Sequence, residues 1–362
     1  MSQSLETFKK ELERLERRTS SSHEYREAMI SRLKDWIPFE AACCTTVDPY
    51  TLLSTGAIAG EGIEAIHARL FEYEYLHEDF NKYDDLVHQL VPVATLSGAT
   101  EGELERSGRY LAVLQPAGLG DEIRVALLGG GACWGYLTLF RAAKGSFFQA
   151  DEEAFLAAVA PWIARTLRGY TLSTPPEDIQ GLQEEIGILV LSHELNPLAS
   201  NGQARKWLDM LGEWEQLEPE ILPSPVRAVC SRALAELSAA EDHQPSKAKI
   251  CLRLPSGHYL AIAASKLDES SGRIQLAVTF EPARTADILP LIAESYGLSS
   301  REKEIVEQIS KGLSTKELAH NLHISAYTVQ DHLKSIFIKT GVTSRRELIW
   351  RLFSRYSSNK KA

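Results

Sequence analysis

Several features that define common protein classes are missing from this sequence of 362 residues. No apolar run approaches the roughly 18 residues that a membrane-spanning helix needs. The first twenty residues carry too many charges for a secretory signal peptide. We therefore expect a cytoplasmic protein that has no membrane partner.

Cysteine is scarce and scattered along the chain. The five cysteines stand at positions 43, 44, 133, 230 and 251, and no two of them have the C-x-x-C spacing of zinc sites and redox motifs. We predict reduced thiols rather than a disulfide framework or a zinc site. We also expect no cofactor.

The motifs that would indicate an enzyme are missing too. The sequence has neither G-x-S-x-G nor a Walker loop, and the glycines at 129–131 lack the Lys-Ser/Thr pair that follows in a phosphate loop. His193-Glu194 has no second histidine at the metalloprotease spacing, and the histidines between 67 and 88 show no metal-ligand spacing. We predict no catalytic residue and no metal site.

Three helix-start signals recur between positions 299 and 325. Ser299 with Glu302, and Ser314 with Glu317, match the capping box, in which the hydroxyl and the carboxylate each accept a backbone N–H. Ser325 can cap a third helix in the same way. These signals predict three successive helices joined by short turns.

Glycine marks the places where two of these helices should end. Gly312 and Gly341 follow apolar periodic segments, and glycine tolerates the left-handed geometry that closes a helix. A fourth helix is expected from about Ser344. The sequence therefore predicts an all-α, four-helix domain over residues 298–356.

The third helix has two distinct faces. Val329, Leu333 and Ile336 recur at helical spacing and should be buried. The opposite face mixes a phenol, an amide, a carboxylate and an amine, all of which can reach base edges in a major groove. That face consists of Tyr327, Gln330, Asp331 and Lys334.

Charge is unevenly distributed along the chain. Residues 298–362 contain 12 Lys and Arg against six Asp and Glu, a net charge of +6, whereas the whole chain carries −10. The first 297 residues therefore carry −16. A basic end on an acidic body is typical of a nucleic-acid module attached to another domain. It weighs against a small helical bundle whose polar face is merely solvated.

The segment resembles the LuxR-type (NarL/FixJ-like) helix-turn-helix domain over about sixty residues. The resemblance implies that 314–333 is the helix-turn-helix unit and that helix four is a dimerisation surface. The residues that carry it include Leu298, Arg301, Glu302, Gly312, Ser314, Lys316, Glu317, Ala319, Ile324, Thr328, Val329, His332, Leu333, Ile336, Lys339, Gly341 and Val342.

The resemblance also implies roles for individual side chains. The base-reading positions are Gln330, Asp331 and Lys334. The positions near DNA phosphates are Thr315, Lys316, Thr328 and Lys339, and we add Tyr327 to them as a positioning residue. The dimerisation surface comprises Arg345, Leu348, Ile349 and Leu352.

Three departures from the family pattern affect these roles. Many members have a basic residue where Gln330 stands. Asp331 either accepts from a cytosine amine or pairs with Lys334. Ile338 falls on the DNA-facing stripe and Thr340 on the core side, so either this end of the helix is irregular or Ile338 meets another subunit.

The region before the linker, residues 23–170, is predicted to be one α+β domain. It contains a buried strand at 41–47, a helix with apolar positions 63, 66, 70 and 73, and a hairpin at 122–141. A long amphipathic helix follows at 151–168. This order is similar to a GAF-type sensor domain. A separate helix at 1–22 either pairs in a dimer or packs on the body.

A second α+β domain is predicted over 181–284. Pro175-Pro176 forbids a helix through the linker at 171–180. Strands and helices then alternate in a pattern that resembles a PAS domain, and a helix at 285–297 connects it to the basic end. The fold class is therefore multidomain: two α+β sensor domains followed by a helix-turn-helix domain.

Three functions remain open from the sequence. The first is a transcriptional regulator that binds double-stranded operator DNA as a homodimer on two half-sites, with a small-molecule effector or a protein partner at the sensor domains. The second is a signalling adaptor that uses the GAF/PAS body for protein interaction and reads no DNA. The third, an enzyme that turns over nucleotides, ranks last.

Overall fold

Two sheet-containing domains precede a small helical domain in the computed structural model. No helix among the described residues is long and apolar enough to cross a membrane. The ranges that the structure describes are 2–60, 62–172, 185–236, 248–268 and 274–354.

The first domain is a five-stranded antiparallel sheet in the order β2-β1-β5-β4-β3. Its elements in chain order are α1 (Ser2–Arg18), α2 (Ser22–Leu33), β1 (Ala41–Val47), β2 (Ser54–Ala59), α3 (Glu64–Leu76), α4 (Tyr83–Leu86), β3 (Val93–Thr95), α5 (Leu96–Ala99), β4 (Leu119–Gly129), β5 (Ala132–Ala142) and α6 (Ala150–Leu172). The hairpin predicted around the glycines is confirmed, with Gly130 and Gly131 in left-handed geometry between β4 and β5.

The N-terminal helix packs on the body of its own chain. Phe8 and Leu12 of α1 are buried, and the Phe8 ring lies 5.5 Å from that of Phe155 on α6. Of the two alternatives for this helix, packing on the body is therefore the one that the structure contains. Helix α6 continues through Leu172, into the start of the predicted linker, and the rest of that linker (173–180) lies outside the described residues.

The second domain repeats the strand order of the first. Its sheet has the order β7-β6-β10-β9-β8, with all neighbours antiparallel. Asn201 caps its first helix by accepting the Ala204 N–H. Its elements are β6 (Gly187–Ser192), β7 (Pro197–Ser200), α7 (Gly202–Glu215), α8 (Ser224–Glu236), β8 (Lys249–Arg253), β9 (Tyr259–Asp268) and β10 (Ile274–Pro282).

Carboxylates from each domain bind backbone N–H groups of the other. Asp48, at the end of β1, accepts the Cys251 N–H at 3.0 Å. Glu215, at the end of α7, accepts the N–H groups of Ala57 and Ser224, each at 2.7 Å. Burial raises the pKa of both carboxyls, and these hydrogen bonds oppose that rise. The two α+β domains therefore form one packed body.

The helical domain is connected to this body by one helix. Its elements are α9 (Thr285–Ser295), α10 (Ser300–Ser310), α11 (Thr315–Asn321), α12 (Ala326–Thr340) and α13 (Arg345–Ile349), after which Trp350–Ser354 forms a wider helical turn. Helix α9 packs against α6 on one side and against α10 and the final turn on the other. Its apolar residues join one continuous core that runs from the first domain into the helical domain.

Candidate nucleic-acid interface

The three caps that the sequence predicted are formed, and the expected fourth helix is capped as well. Ser314 accepts the Glu317 N–H at 3.4 Å, and the Glu317 carboxylate accepts the Ser314 N–H at 2.7 Å. Ser299 and Glu302 exchange the same pair of bonds. Ser325 caps α12, and Ser344 caps α13. These bonds satisfy N–H groups that a helix start leaves free, so each helix begins at a fixed residue.

Helix α12 rests on a buried support. Val329, Leu333 and Ile336 are buried, as predicted, and they join the core that includes Leu318 of α11 and Ile305 of α10. Side chains packed at this density hold a helix in one orientation. The opposite face of α12 is thereby presented at a defined angle.

The turn between α11 and α12 contains a feature that the sequence analysis missed. His323 has φ of 53°, which is the left-handed region that few residues other than glycine adopt. Its N–H donates to the His320 carbonyl at 3.2 Å and closes the end of α11. A turn of this kind often contains glycine, and position 323 is a histidine, so no residue type indicated the left-handed geometry here.

The polar face of α12 is open to solvent. Tyr327 is 70% exposed, and Gln330, Asp331 and Lys334 are exposed beside it. The Lys334 ammonium lies 3.2 Å from the Asp331 carboxylate, and both groups remain largely in water. The pairing of Asp331 with Lys334 therefore occurs in the free protein. An exposed pair of this type contributes little to stability and breaks at low cost.

The predicted phosphate-contacting residues differ in their solvent exposure and in their hydrogen-bond partners. Lys316 is exposed, whereas Thr315 is half-buried. Thr328 has its hydroxyl 2.9 Å from that of Ser325, within the cap of α12. The fourth of these residues, Lys339, is exposed, but its ammonium is bound by Glu302 of α10.

Lys339 is held by a buried carboxylate. Glu302 of α10 accepts from the Lys339 ammonium at 2.6 Å, the Ser335 hydroxyl at 2.6 Å and the Ser299 N–H at 2.7 Å. Burial alone would raise the pKa of Glu302, but these hydrogen bonds outweigh it and bring the pKa to about 2. Glu302 was recognised from the sequence only as part of a capping box; the structure shows that it also fixes α12 to α10.

The predicted dimerisation surface faces its own chain in this conformation. Leu348 and Leu352 are 0% and 1% exposed, Ile349 is half-buried, and the Arg345 guanidinium donates to the Leu313 carbonyl. The family resemblance assigned helix four to dimerisation, but it could not show that α9 packs against the turn that follows this helix. In this arrangement Leu348 and Leu352 are unavailable to a second subunit.

The end of α12 is regular, which excludes the first of the two alternatives for Ile338 and Thr340. Thr340 is buried and its hydroxyl donates to the Ile336 carbonyl at 2.7 Å, so its polar atom is satisfied inside the helix. Ile338 is 82% exposed. The helix keeps its period, and Ile338 is left as an apolar side chain on the same side as the polar face.

His67 and Cys43 of the first domain are in contact, and both side chains are uncharged. His67 accepts from Arg227 of the second domain at 3.1 Å, and its other ring nitrogen lies 3.5 Å from the Cys43 sulfur. Burial, with Arg227 beside it, lowers the pKa of His67 to about 3, and burial raises the pKa of Cys43 to about 11. Both groups are uncharged at neutral pH, and the contact joins the two domains.

The four capped helices, with the exposed face of α12, have the arrangement of a helix-turn-helix domain. Residues 296–352 match the family described as bacterial regulatory proteins, luxR family. The C-terminal domain of this chain belongs to that family.

Similarity to known proteins is concentrated in this domain. The chain is 45% identical over 65 residues to the monoamine regulon transcriptional regulator of Klebsiella aerogenes, which is 18% of this chain and 26% of that protein. It is 39% identical over 61 residues to the transcriptional regulatory protein DesR of Bacillus subtilis, covering 17% and 31% of the two chains. The alignments thus span about a quarter to a third of these relatives' lengths.

A solved structure of the Vibrio cholerae VqmA dimer aligns with 48% of this chain and 84% of that chain, at 17% identity and a TM-score of 0.21. A TM-score this low supports no statement about the fold or the ligand of the two N-terminal domains.

Proposed function

We propose that this protein is a transcriptional regulator that binds double-stranded DNA in a sequence-specific way, with α12 in the major groove. One observation carries the proposal: the polar face of α12 is exposed to solvent, whereas the opposite face of the same helix is buried in the core. A helix fits the major groove, where each base pair presents a distinct pattern of donors and acceptors.

The three base-reading residues have complementary chemistry. Gln330 can pair with adenine through its amide, and Lys334 can donate to guanine O6 and N7. Asp331 can accept from the cytosine amine once its contact with Lys334 opens. Each good contact of this kind discriminates between bases by about 1–3 kcal/mol.

A second group of residues would position the helix on the sugar-phosphate backbone. Lys316 supplies a free ammonium group, which releases counterions from DNA and makes binding salt-dependent. Lys339 contributes charge from a position fixed by Glu302. The proposed positioning residues are Thr315, Lys316, Tyr327, Thr328 and Lys339.

We propose that the active form is a homodimer on two half-sites about one helical turn apart. The dimerisation residues are Arg345, Leu348, Ile349 and Leu352, so helix four has to separate from α9 when two copies associate. The α9 contact would then hold the monomer in a form that cannot dimerise through helix four, and any ligand that prefers the separated form would favour DNA binding.

We further propose that the two N-terminal domains are GAF-like (23–170) and PAS-like (181–284) sensor domains that receive a small-molecule effector or a protein partner. Each domain has a single antiparallel sheet, and the strand order is the same in both. A regulator of this kind acts on chromosomal DNA, which places it in the cytoplasm.

A mobility-shift assay with fragments of the source genome separates this function from that of an adaptor. The regulator is expected to shift a subset of fragments saturably, even with excess nonspecific DNA. An adaptor that uses the two N-terminal domains for protein interaction would shift no fragment. If its basic domain bound DNA only electrostatically, it would shift all fragments equally, and all of these complexes would dissociate at the same salt concentration.

A further inference from the structure

A cavity of about 320 Å³ lies where the first domain, the second domain and α9 meet. Its volume is in the range of small-molecule sites and is about twice the roughly 150 Å³ that holds one benzene ring. Its walls include Arg26 of α2, Trp134 of β5, Trp214 of α7, Arg253 of β8 and Leu291 of α9.

Among the described residues, Arg26 is a buried cation with no carboxylate in direct ion-pair contact; the nearest negative charges that act on it, Glu215 and Glu27, do so from beyond hydrogen-bond distance. Its side chain is 1% exposed. Nε donates to the Ser22 carbonyl at 3.3 Å, and Nη1 donates to the carbonyls of Cys44 and Gly56 at 2.7 and 3.1 Å. Within the described part of the chain, no hydrogen bond uses Nη2 and no carboxylate lies within ion-pair distance of the guanidinium. Burying a charge costs free energy unless the charge is paired. An anion in the cavity would give the Arg26 guanidinium a directly bound negative charge and an acceptor for Nη2.

The other charged groups that face the cavity leave a positive balance. Arg253 has no acceptor for its Nε among the described residues. Glu24 lies at the rim, where its carboxylate accepts the N–H and hydroxyl of Ser20 at 2.8 and 3.0 Å. Burial and the charge of Arg26 lower the pKa of His23, which keeps it neutral at pH 7. Two cations therefore face one carboxylate, in a chain whose net charge is −10.

Aromatic side chains form much of the remaining wall. Trp134, Trp214 and Tyr170 line the cavity, and the Trp134 indole N–H is fixed by the Gly129 carbonyl at 2.8 Å. Indole and phenol rings offer large surfaces on which a planar group can stack or pack edge-on. The cavity wall thus combines the desolvated guanidinium of Arg26 with aromatic surfaces against which a planar ring can pack.

We propose that this interdomain cavity binds a small organic anion, a carboxylate attached to an aromatic ring system of one or two rings. The carboxylate accepts from Arg26 Nη2 and from Arg253, and the ring packs between the tryptophans. The site is separate from the DNA-reading face, and both N-terminal domains contribute to it.

The position of the cavity gives the ligand a route to the DNA-binding domain. Leu291 lies on α9, and Leu167, also in the wall, lies on α6, against which α9 packs. A ligand that fills the cavity therefore contacts the helix that packs against the final turn, which contains Leu352. This consequence rests on the proposed function, whereas ligand binding itself does not.

Calorimetric titration of the full chain, without DNA, tests the site. The probes are benzoate, phenylacetate, indole-3-acetate and 1-naphthoate, each beside its neutral amide of nearly the same shape, up to about 1 mM, the weak end of small-molecule affinity. At least one carboxylate is expected to bind saturably and about tenfold or more tighter than its amide. Equal binding within every pair, or no saturable binding by any carboxylate, would overturn the proposal.

Charge-removing variants locate the anion. Arg253→Gln breaks no described hydrogen bond and is expected to weaken the carboxylate several-fold while leaving the amide unchanged. Arg26→Gln is expected to abolish the difference between carboxylate and amide. Arg165→Gln is the matched control, because Arg165 is an exposed residue of α6 that pairs with Glu16 outside the cavity. An effect of Arg165→Gln equal to that of Arg253→Gln would contradict the assignment.

Fluorine NMR of the chain labelled with 5-fluorotryptophan covers the case in which Arg26→Gln fails to fold. The chain has six tryptophans, and Trp134→Phe and Trp214→Phe assign two of the signals. The binding carboxylate is expected to shift those two signals and to leave the Trp350 signal in place. Binding that moves only other tryptophans would place the ligand elsewhere and refute the proposal. Because DNA is absent, these outcomes are independent of whether the protein reads an operator.

Discussion

The Lys339 ammonium lies 2.6 Å from the buried carboxylate of Glu302, so the C-terminal half of α12 is fixed to α10 by a charged hydrogen bond. The same carboxylate accepts from Ser335, one turn earlier on α12. Two anchor points on one helix restrain its rotation as well as its position. The polar face on the opposite side of α12 is therefore held in one orientation as well.

Glu302→Gln is expected to destabilise the helical domain by about 1–3 kcal/mol at neutral pH, because it replaces charge-assisted hydrogen bonds with neutral ones. The pKa of Glu302 is lowered from 4.5 to about 2 on folding, so its contribution is complete above pH 4.5 and is lost as the pH falls toward 2. Denaturant unfolding of both proteins at pH 7 and pH 3 measures this, and the difference should shrink at the lower pH. A difference that grows in acid would contradict the assignment.

Lys334→Ala is expected to weaken binding to the operator by about 1–3 kcal/mol, roughly 5- to 150-fold, while changing binding to random DNA much less. Lys311→Ala is the matched control, because Lys311 is an equally exposed lysine that pairs with Glu307 on α10. Fluorescence anisotropy with operator and scrambled duplexes gives both affinities. Equal losses on the two duplexes would show that Lys334 contacts phosphate rather than bases.

Lys316→Ala is expected to weaken binding to every duplex by a similar factor, because its role is electrostatic. The slope of the logarithm of affinity against the logarithm of salt concentration should fall in magnitude by about 1. Titrations at four salt concentrations measure this slope. A change in base preference without a change in slope would place Lys316 at the bases instead.

Arg168→Gln is expected to strengthen operator binding and dimerisation several-fold. Arg168 of α6 donates to the Ser295 carbonyl of α9 at 2.6 Å, and losing one such bond costs about 1 kcal/mol. A looser α9 favours the form in which helix four is free to pair. Analytical ultracentrifugation and anisotropy measure the change, with Arg165→Gln as control. Weaker operator binding than in that control would refute an inhibitory role for the α9 contact.

Local features of the fold could be predicted from the sequence. The caps at Ser299, Ser314 and Ser325 and the burial of Val329 and Ile336 follow from spacing within one helix, so they needed no knowledge of distant residues. The hairpin of the first domain was predictable for the same reason, since alternating β-rich runs flank a glycine turn.

Features that depend on long-range packing were not predictable. Helix α3 was assigned an apolar face at positions 63, 66, 70 and 73, and Ile63 is buried while Ile66 and Leu70 pack against the core. The sequence did not show that His67 and Phe71 are buried too, on the side where α8 of the second domain packs. The resemblance assigned Leu348 and Leu352 to a dimer interface, and it could not show that both side chains are buried within the single chain. The unpaired charge of Arg26 and the cavity beside it arise only when the two domains meet.

Selection of bound sequences from a random duplex library tests the central claim most directly. The account predicts enrichment of one sequence family, with two related half-sites about one helical turn apart and with the identity of specified bases depending on Gln330 and Lys334. The claim would be contradicted if the protein stayed folded and the selected library had the same base composition as the starting library.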